Sequence, residues 1–232
     1  MGAAQGLTDG VASPIALSQF MTRAFRSFVL RYFSLLLLAV ALATRSPAQA
    51  SPEFVLQFDA GQSGADITLE GNLHTVKGSF LMKRGSIQFD PTSGRASGEI
   101  VFDATSGKTG NGSRDNKMHK DVIESWRYPE IVFRPDHADG TLTPSGTSKL
   151  QVHGIFAIHG AEHEVTFLVE MTLSEKVWSA KASFQVPYAQ WGMKNPSFLL
   201  LKVGDTVRVE FHAAGSLVPQ SETDSTSFVT LF

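Results

Sequence analysis

The chain has 232 residues and no cysteine. That excludes disulfides, a thiolate nucleophile, cysteine-ligated metal and an acylated N-terminal cysteine. Charged residues are also sparse, at 18%, and no basic surplus offsets the acids. Residues 51–232 hold 16 Lys and Arg against 21 Asp and Glu, a poor match for nucleic acid, whose phosphates demand a basic face. The longest apolar run, Phe33 to Ala43, spans 11 residues, too short to cross a bilayer as a helix, which takes roughly 20. Motifs for catalysis are missing too. There is no GxSxG, no HExxH and no paired carboxylates that spacing alone would place in one cleft, so enzyme chemistry is the weaker class of reading.

Arg23, Arg26 and Arg31 precede the apolar run, and Ala48-Gln49-Ala50 supplies the small residues of a cleavage site. This order predicts a secretory signal over residues 21–50, cleaved after Ala50, with translation starting at Met21 and residues 1–20 an upstream leader. A retained membrane anchor is the alternative. The mature chain, Ser51 onward, has 182 residues and suits one domain with a sizeable core. Without disulfides, an exported protein of this kind depends on that core alone.

Along the mature chain the dominant period is two, the mark of strands with one buried face. Leu150, Val152, Gly154, Phe156 and Ile158 form one row, and after a turn at 159–162 it continues in Val165, Phe167, Val169 and Met171. Trp178, Ala180, Ala182 and Phe184 alternate in the same way, as do Val207, Val209 and Phe211 against Arg208 and Glu210. Shorter runs cover 54–58, 67–69, 76–80, 87–89, 98–102 and 131–133. About ten strands without a βαβ repeat predict an antiparallel sandwich or barrel.

One helix interrupts them, predicted over about 113–126. Met118, Val122 and Trp126 give it an apolar face, and Lys117 and Asp121 form an i,i+4 pair. The Gly107–Gly112 loop before it lacks the order of a phosphate loop. A helix laid across a break in an all-β protein belongs at the mouth of a cavity, where the strand ladder stops.

Two further readings stay open at this level. His153, His159 and His163 fall in one hairpin, which supplies candidate ligands for a metal-dependent enzyme, although no Asp or Cys completes the set. The ending Ser227-Phe-Val-Thr-Leu-Phe232 is compatible with a small outer-membrane β-barrel. Strands of five to seven residues argue against a membrane barrel, since a spanning strand needs roughly 9–11. Residues 216–232 read as a polar tail.

Several segments together resemble the YceI-like family of exported, lipocalin-like, polyisoprenoid-binding proteins. They are His74-Thr-Val-Lys-Gly78-Ser-Phe80, Thr109 with Arg114-Asp115 and Met118, Tyr128-Pro129-Glu-Ile131-Val-Phe133, Gly154-Ile-Phe-Ala-Ile-His159-Gly160, and Trp191-Gly192-Met193-Lys194-Asn195-Pro196-Ser197. The resemblance covers nearly all of residues 53–215 and implies an antiparallel lipocalin-like β-barrel over 51–215, located in the periplasm. It implies binding, not catalysis, of an isoprenoid quinone or polyprenyl lipid in a tunnel.

On the inward rows, Phe102, Met118, Phe133, Phe156, Phe167, Ala182 and Phe184 are the expected tunnel wall. Gly78, Gly98, Gly154, Ala180 and Ala182 would leave room in it; the alternative is that the rings fill a solid core and the glycines relieve strand coiling. Arg114, Asp115, His119, Lys194 and Asn195 are the expected contacts to a polar head group, with Trp191 a plug at the barrel end. A homodimer through the barrel wall and transient membrane contact are compatible partners.

Overall fold

The computed structural model describes residues 54–197, 200 and 202–219. The predicted signal segment, and the tail beyond Pro219, lie outside the described residues. Nine strands form one antiparallel sheet: β1 (Phe54–Phe58), β2 (Gly64–Leu69), β3 (Val76–Phe89), β4 (Ala96–Asp103), β5 (Glu130–Asp139), β6 (Gly146–Ile158), β7 (Ala161–Ser174), β8 (Val177–Val186) and β9 (Val207–Pro219).

The sheet closes on itself. Both β1 and β2 lie between β3 and β9, and each pairs with both. They are two halves of a single stave, broken by a short 3₁₀ turn at Ala60–Gln62 that Asp59 caps by accepting from the Gly61 N–H at 2.9 Å. Nine strands therefore make a closed barrel of eight staves, about the smallest whose interior can hold a ligand.

Three expectations change here. The runs at 76–80 and 87–89 are one 14-residue strand, with a bulge between Met82 and Arg84 that restores the inward parity. The last strand continues to Pro219, so residues 216–219 pair with β1 and belong to the barrel rather than to the tail. Strand length also fails as an argument against a membrane barrel, because β3 and β7 have 14 residues and β6 and β9 have 13. What argues against one is the direction of the faces. The long apolar rows point inward, and the outer wall, where Leu81 and Leu168 are exposed, carries ion pairs such as Arg84–Glu99 at 3.1 Å, Lys83–Glu130 at 3.2 Å and Lys149–Glu170 at 3.1 Å. A lipid-facing wall would need the reverse. Among the described residues no helix is long and apolar enough to cross a membrane.

The hairpin β6–β7 turns at His159-Gly160, both with positive φ (54° and 75°), the two-residue turn whose twist matches that of the strands. The glycines on the inward rows serve strand approach rather than the bore. A Cβ on Gly154 would stand 2.3 Å from the Arg134 carbonyl oxygen, and one on Gly98, at φ 117°, 2.2 Å from that of Ser86. Close backbone approach of this kind lets a small barrel coil.

The ladder has a long gap between β7 and β8. β7 pairs with β8 only from Val169 to Ser174, leaving Ala161–Leu168 unpaired on that side. There Phe167 and Phe184 stack at 4.5 Å, and Trp191 from the β8–β9 connection fills the wedge against His163 (4.0 Å, near-parallel rings) and Phe156 (5.9 Å).

Candidate functional site

The inward rows do not close-pack completely. They enclose a cavity of about 640 Å³ that runs from Leu150, Met171 and Trp178 at one end to the β4–β5 connection at the other. Phe102, Phe133, Phe156, Phe167, Phe184 and Met118 stand in its wall. Ala182 is buried on the same inward row, opposite Val169 and Phe211, but outside the cavity wall; Ala180, two residues earlier, is in it.

The polar residues lining the cavity gather at one end: His74, Thr109, Asn111, Ser113, Arg114 and Lys117. The β2–β3 turn, the β4–β5 connection and the β8–β9 connection meet there, because antiparallel staves return alternate connections to the same end.

The helix at this mouth is shorter than its sequence period predicts. An α-helical turn, α1, spans Gly112–Lys117, and Met118–Val122 widens into a π turn closed by Ile123 N–H donating to the Met118 carbonyl at 3.0 Å. Trp126 lies beyond it and is exposed. The N-terminus is capped by Asn111, whose side chain accepts from the Arg114 N–H at 3.1 Å. The π turn has an identifiable cause in His119, clamped on both sides: Nε2 donates to the Gly107 carbonyl at 2.8 Å and Nδ1 meets the Ser125 hydroxyl at 2.9 Å. One residue is extruded so that the ring can reach both.

Of the five expected head-group residues, only Arg114 lines the mouth. Asp115 accepts from both the Thr109 N–H, at 2.8 Å, and the Thr109 hydroxyl; these bonds, with Arg114 nearby, hold its carboxyl below the usual range. Thr109 in turn accepts from Arg114 Nε at 2.8 Å and, through its carbonyl, from Nη2 at 2.9 Å. Asp115 thus positions Arg114 through Thr109, and the guanidinium keeps the other three of its five N–H groups for the mouth.

His119 is committed to its clamp. Asn195 fastens its own loop, donating to Asp205 Oδ1 at 2.7 Å, and Lys194 is exposed. Sequence spacing did not reveal Lys117, whose ammonium donates to the Pro196 carbonyl at 2.9 Å and ties the helix to the β8–β9 connection across the mouth. Its i+4 relation to Asp121 suggested a surface pair instead.

The histidine triplet is dispersed. His153 faces outward and bonds Asp136 at 2.7 Å, which raises its pKa; His159 sits at the turn, 3.6 Å from Glu124; His163 points inward onto Trp191. Residues of opposite strand parity cannot converge on one ion, and among the described residues no group of three His, Cys, Asp or Glu is placed to hold a metal. His163 Nε2 is buried without a hydrogen-bond partner, and burial lowers its pKa. Up to the mouth the cavity wall is almost wholly apolar.

The YceI-like domain model matches residues 56–214, the whole barrel from the first stave into the last. The chain belongs to the YceI-like family. Solved structures share the fold at low identity. BcnA from Burkholderia cenocepacia aligns with a TM-score of 0.57 at 17% identity, covering 68% of this chain and 99% of that one. A polyisoprenoid binding domain from Saccharophagus degradans, implicated in plant cell wall breakdown, gives 0.54 at 17% identity, covering 70% and 97%. The YCEI protein of Campylobacter jejuni gives 0.50 at 18% identity, covering 61% and 84%. No curated protein sequence matches the chain significantly.

Proposed function

We propose that this YceI-like barrel binds one long-chain isoprenoid, a quinone or polyprenyl compound, with the tail in the 640 Å³ cavity and the head at the mouth. The observation that carries the reading is the division of the cavity wall: apolar throughout its depth, with polar and cationic groups at one end only. The polyisoprenoid-binding neighbour of the same fold supports the ligand class.

At roughly 30 Å³ per carbon-sized group, the share of volume a water takes, the cavity accommodates about 20 such groups, or about four isoprene units. Burying each CH₂ contributes about 0.8 kcal/mol, so the tail supplies on the order of 16 kcal/mol of gross attraction. Association costs about 4–15 kcal/mol, so the tail can account for binding while the head sets selectivity. Arg114, held by Thr109, and Lys117 suit phosphate, carboxylate or carbonyl oxygens, and Asn111 and Ser113 add neutral partners. The role is sequestration or carriage in the periplasm after export, with binding rather than chemistry as the activity.

Lipid mass spectrometry on an organic extract of the exported protein, purified without detergent, tests this directly. A stoichiometric isoprenoid species is expected. An extract empty of any lipid, from stable folded protein, would overturn the proposal.

A further inference from the structure

The outer surface of the mouth carries a feature that ligand enclosure does not require. The β2–β3 turn and the end of the β8–β9 connection are zipped together. Asn72 Nδ2 donates to the Leu200 carbonyl at 2.9 Å, Asn72 N–H to the Lys202 carbonyl at 2.9 Å, and Lys202 N–H to Asn72 Oδ1 at 3.0 Å. On this joined tip Leu73 is 69% and Leu200 85% exposed, and neither lines the cavity. Trp126, at the same end of the barrel, is 74% exposed. Large apolar side chains this exposed are costly in water without an occupant.

Charge is distributed unevenly around them. Residues 70–77, 104–129 and 187–206, which hold the three connections that meet at the mouth, carry eight Lys and Arg and five acids. Four of these acids have local partners: Glu70 accepts from the Thr75 hydroxyl at 2.6 Å, Asp115 is held by Thr109, Glu124 lies 3.6 Å from His159, and Asp205 accepts from Asn195 Nδ2 at 2.7 Å. The rest of residues 51–232 holds eight bases and sixteen acids. An otherwise acidic barrel thus has a basic surplus at one end, around the opening of an apolar cavity, where Leu73 and Leu200 are exposed.

We infer that this rim docks on the surface of an anionic phospholipid bilayer, mouth toward the membrane. The inference rests on the lipid-binding reading and names the surface with which the ligand is exchanged. Exposed Leu and Trp side chains insert at the headgroup boundary, while Lys77, Lys108, Lys120, Lys194 and Lys202 meet lipid phosphates. A protein partner would have no need of an open apolar cavity at the centre of its contact. A bilayer uses it, because a tail passing from bilayer to cavity never crosses water. Repulsion of the acidic remainder fixes the orientation.

The test is co-sedimentation of the exported protein with vesicles of equimolar phosphatidylglycerol and phosphatidylcholine, against pure phosphatidylcholine. Wild type should bind the anionic vesicles and lose that binding as salt rises to about 0.5 M, where the Debye length falls below the reach of surface charges. Leu73→Glu/Leu200→Glu and Lys194→Glu/Lys202→Glu should each weaken partition by about tenfold or more. Their melting temperatures and extracted lipid should not change, since none of these side chains lines the cavity. All proteins compared share one N-terminus, so a difference between them reports on the rim.

Wild-type levels of binding in both variants, or no preference for anionic vesicles, would overturn the inference. An empty organic extract together with rim-dependent vesicle binding would sink the cavity reading and leave the docking surface standing. Bound lipid without vesicle binding would do the opposite.

Discussion

Ala180 offers the sharpest test of whether the barrel is open. It lies on β8 opposite Met171 and Ala213, three residues beyond the β7–β8 turn, and its methyl faces the blind end of the cavity. Ala180→Phe adds six carbons to that wall. If the space is empty or lipid-filled, the ring occupies volume that about six tail carbons would take. At about 0.8 kcal/mol per carbon, the gross loss for a tail that filled it approaches 5 kcal/mol, part of which the ring returns as a new apolar contact. Tails shorter by about one isoprene unit should then be favoured among the co-purified species. Folding should lose little, because nothing has to be pushed aside.

In a solid core the same substitution overpacks. That costs about 1–3 kcal/mol and lowers the melting temperature by roughly 2–4 °C per kcal/mol in a domain of this size. The assay is thermal unfolding with lipid mass spectrometry on the same preparation. A folded Ala180→Phe protein with an unchanged lipid distribution, or one strongly destabilised with no lipid in either extract, would refute the cavity. Ala182→Phe is the matched control: its methyl is buried outside the cavity wall, so it should show the overpacking penalty.

Four other outcomes follow from the geometry. Arg114→Gln should leave the fold intact while reducing retention of ligands with acidic heads more than of neutral ones, read by competition between a polyprenyl phosphate and the matching alcohol. Gly154→Ala places a Cβ 2.3 Å from the Arg134 carbonyl oxygen in a strand pair that cannot shift independently, and should cost more than about 2 kcal/mol in urea unfolding. Tyr188 donates its hydroxyl to the Gly204 carbonyl at 2.7 Å, and burial, with Asp205 nearby, pushes its pKa up to about 12. Tyr188→Phe should cost about 1 kcal/mol and remove the late-ionising phenol from a spectrophotometric titration. His163 binds a proton less readily folded than unfolded, so below its ordinary pKa of 6.5 the unfolded chain takes up more protons and stability declines as the pH falls toward the folded value. His163→Phe should flatten the difference in melting temperature between pH 7 and 5; His153, whose pKa is raised, contributes with the opposite sign and is common to both proteins.

The barrel was legible because its signal is local. Rows such as Leu150 to Ile158 and Val165 to Met171 have an apolar residue at every second position and one turn between them, so parity alone assigns the faces. Parity is lost at a bulge. The Met82/Arg84 bulge shifts the row and made one long strand read as two short ones. The helix is shorter than its period predicts because Met118, Val122 and Trp126 keep a helical spacing that His119 interrupts through bonds to Gly107 and Ser125, and a hydrophobic period carries no record of a side-chain clamp. At the mouth, residue type pointed to Arg114. It could not distinguish His119 and Asn195, which are spent on their own loops, from Lys117, which bridges two connections separated by some eighty residues. Ala180 and Ala182 share chemistry, parity and strand, and only the packing across the bore separates them.

The seam between β7 and β8 bears on how the bore can vary. Where staves are joined by hydrogen bonds, widening a barrel means breaking a ladder several bonds at a time. Along Ala161–Leu168 the closure is made instead by rings, Phe167 on Phe184 and Trp191 on His163. Contacts between rings are short-ranged and weakly directional, so they can slide without a discrete break. The circumference is therefore elastic along this seam, and a guest of larger girth would be accommodated there by displacement of the aromatic wedge.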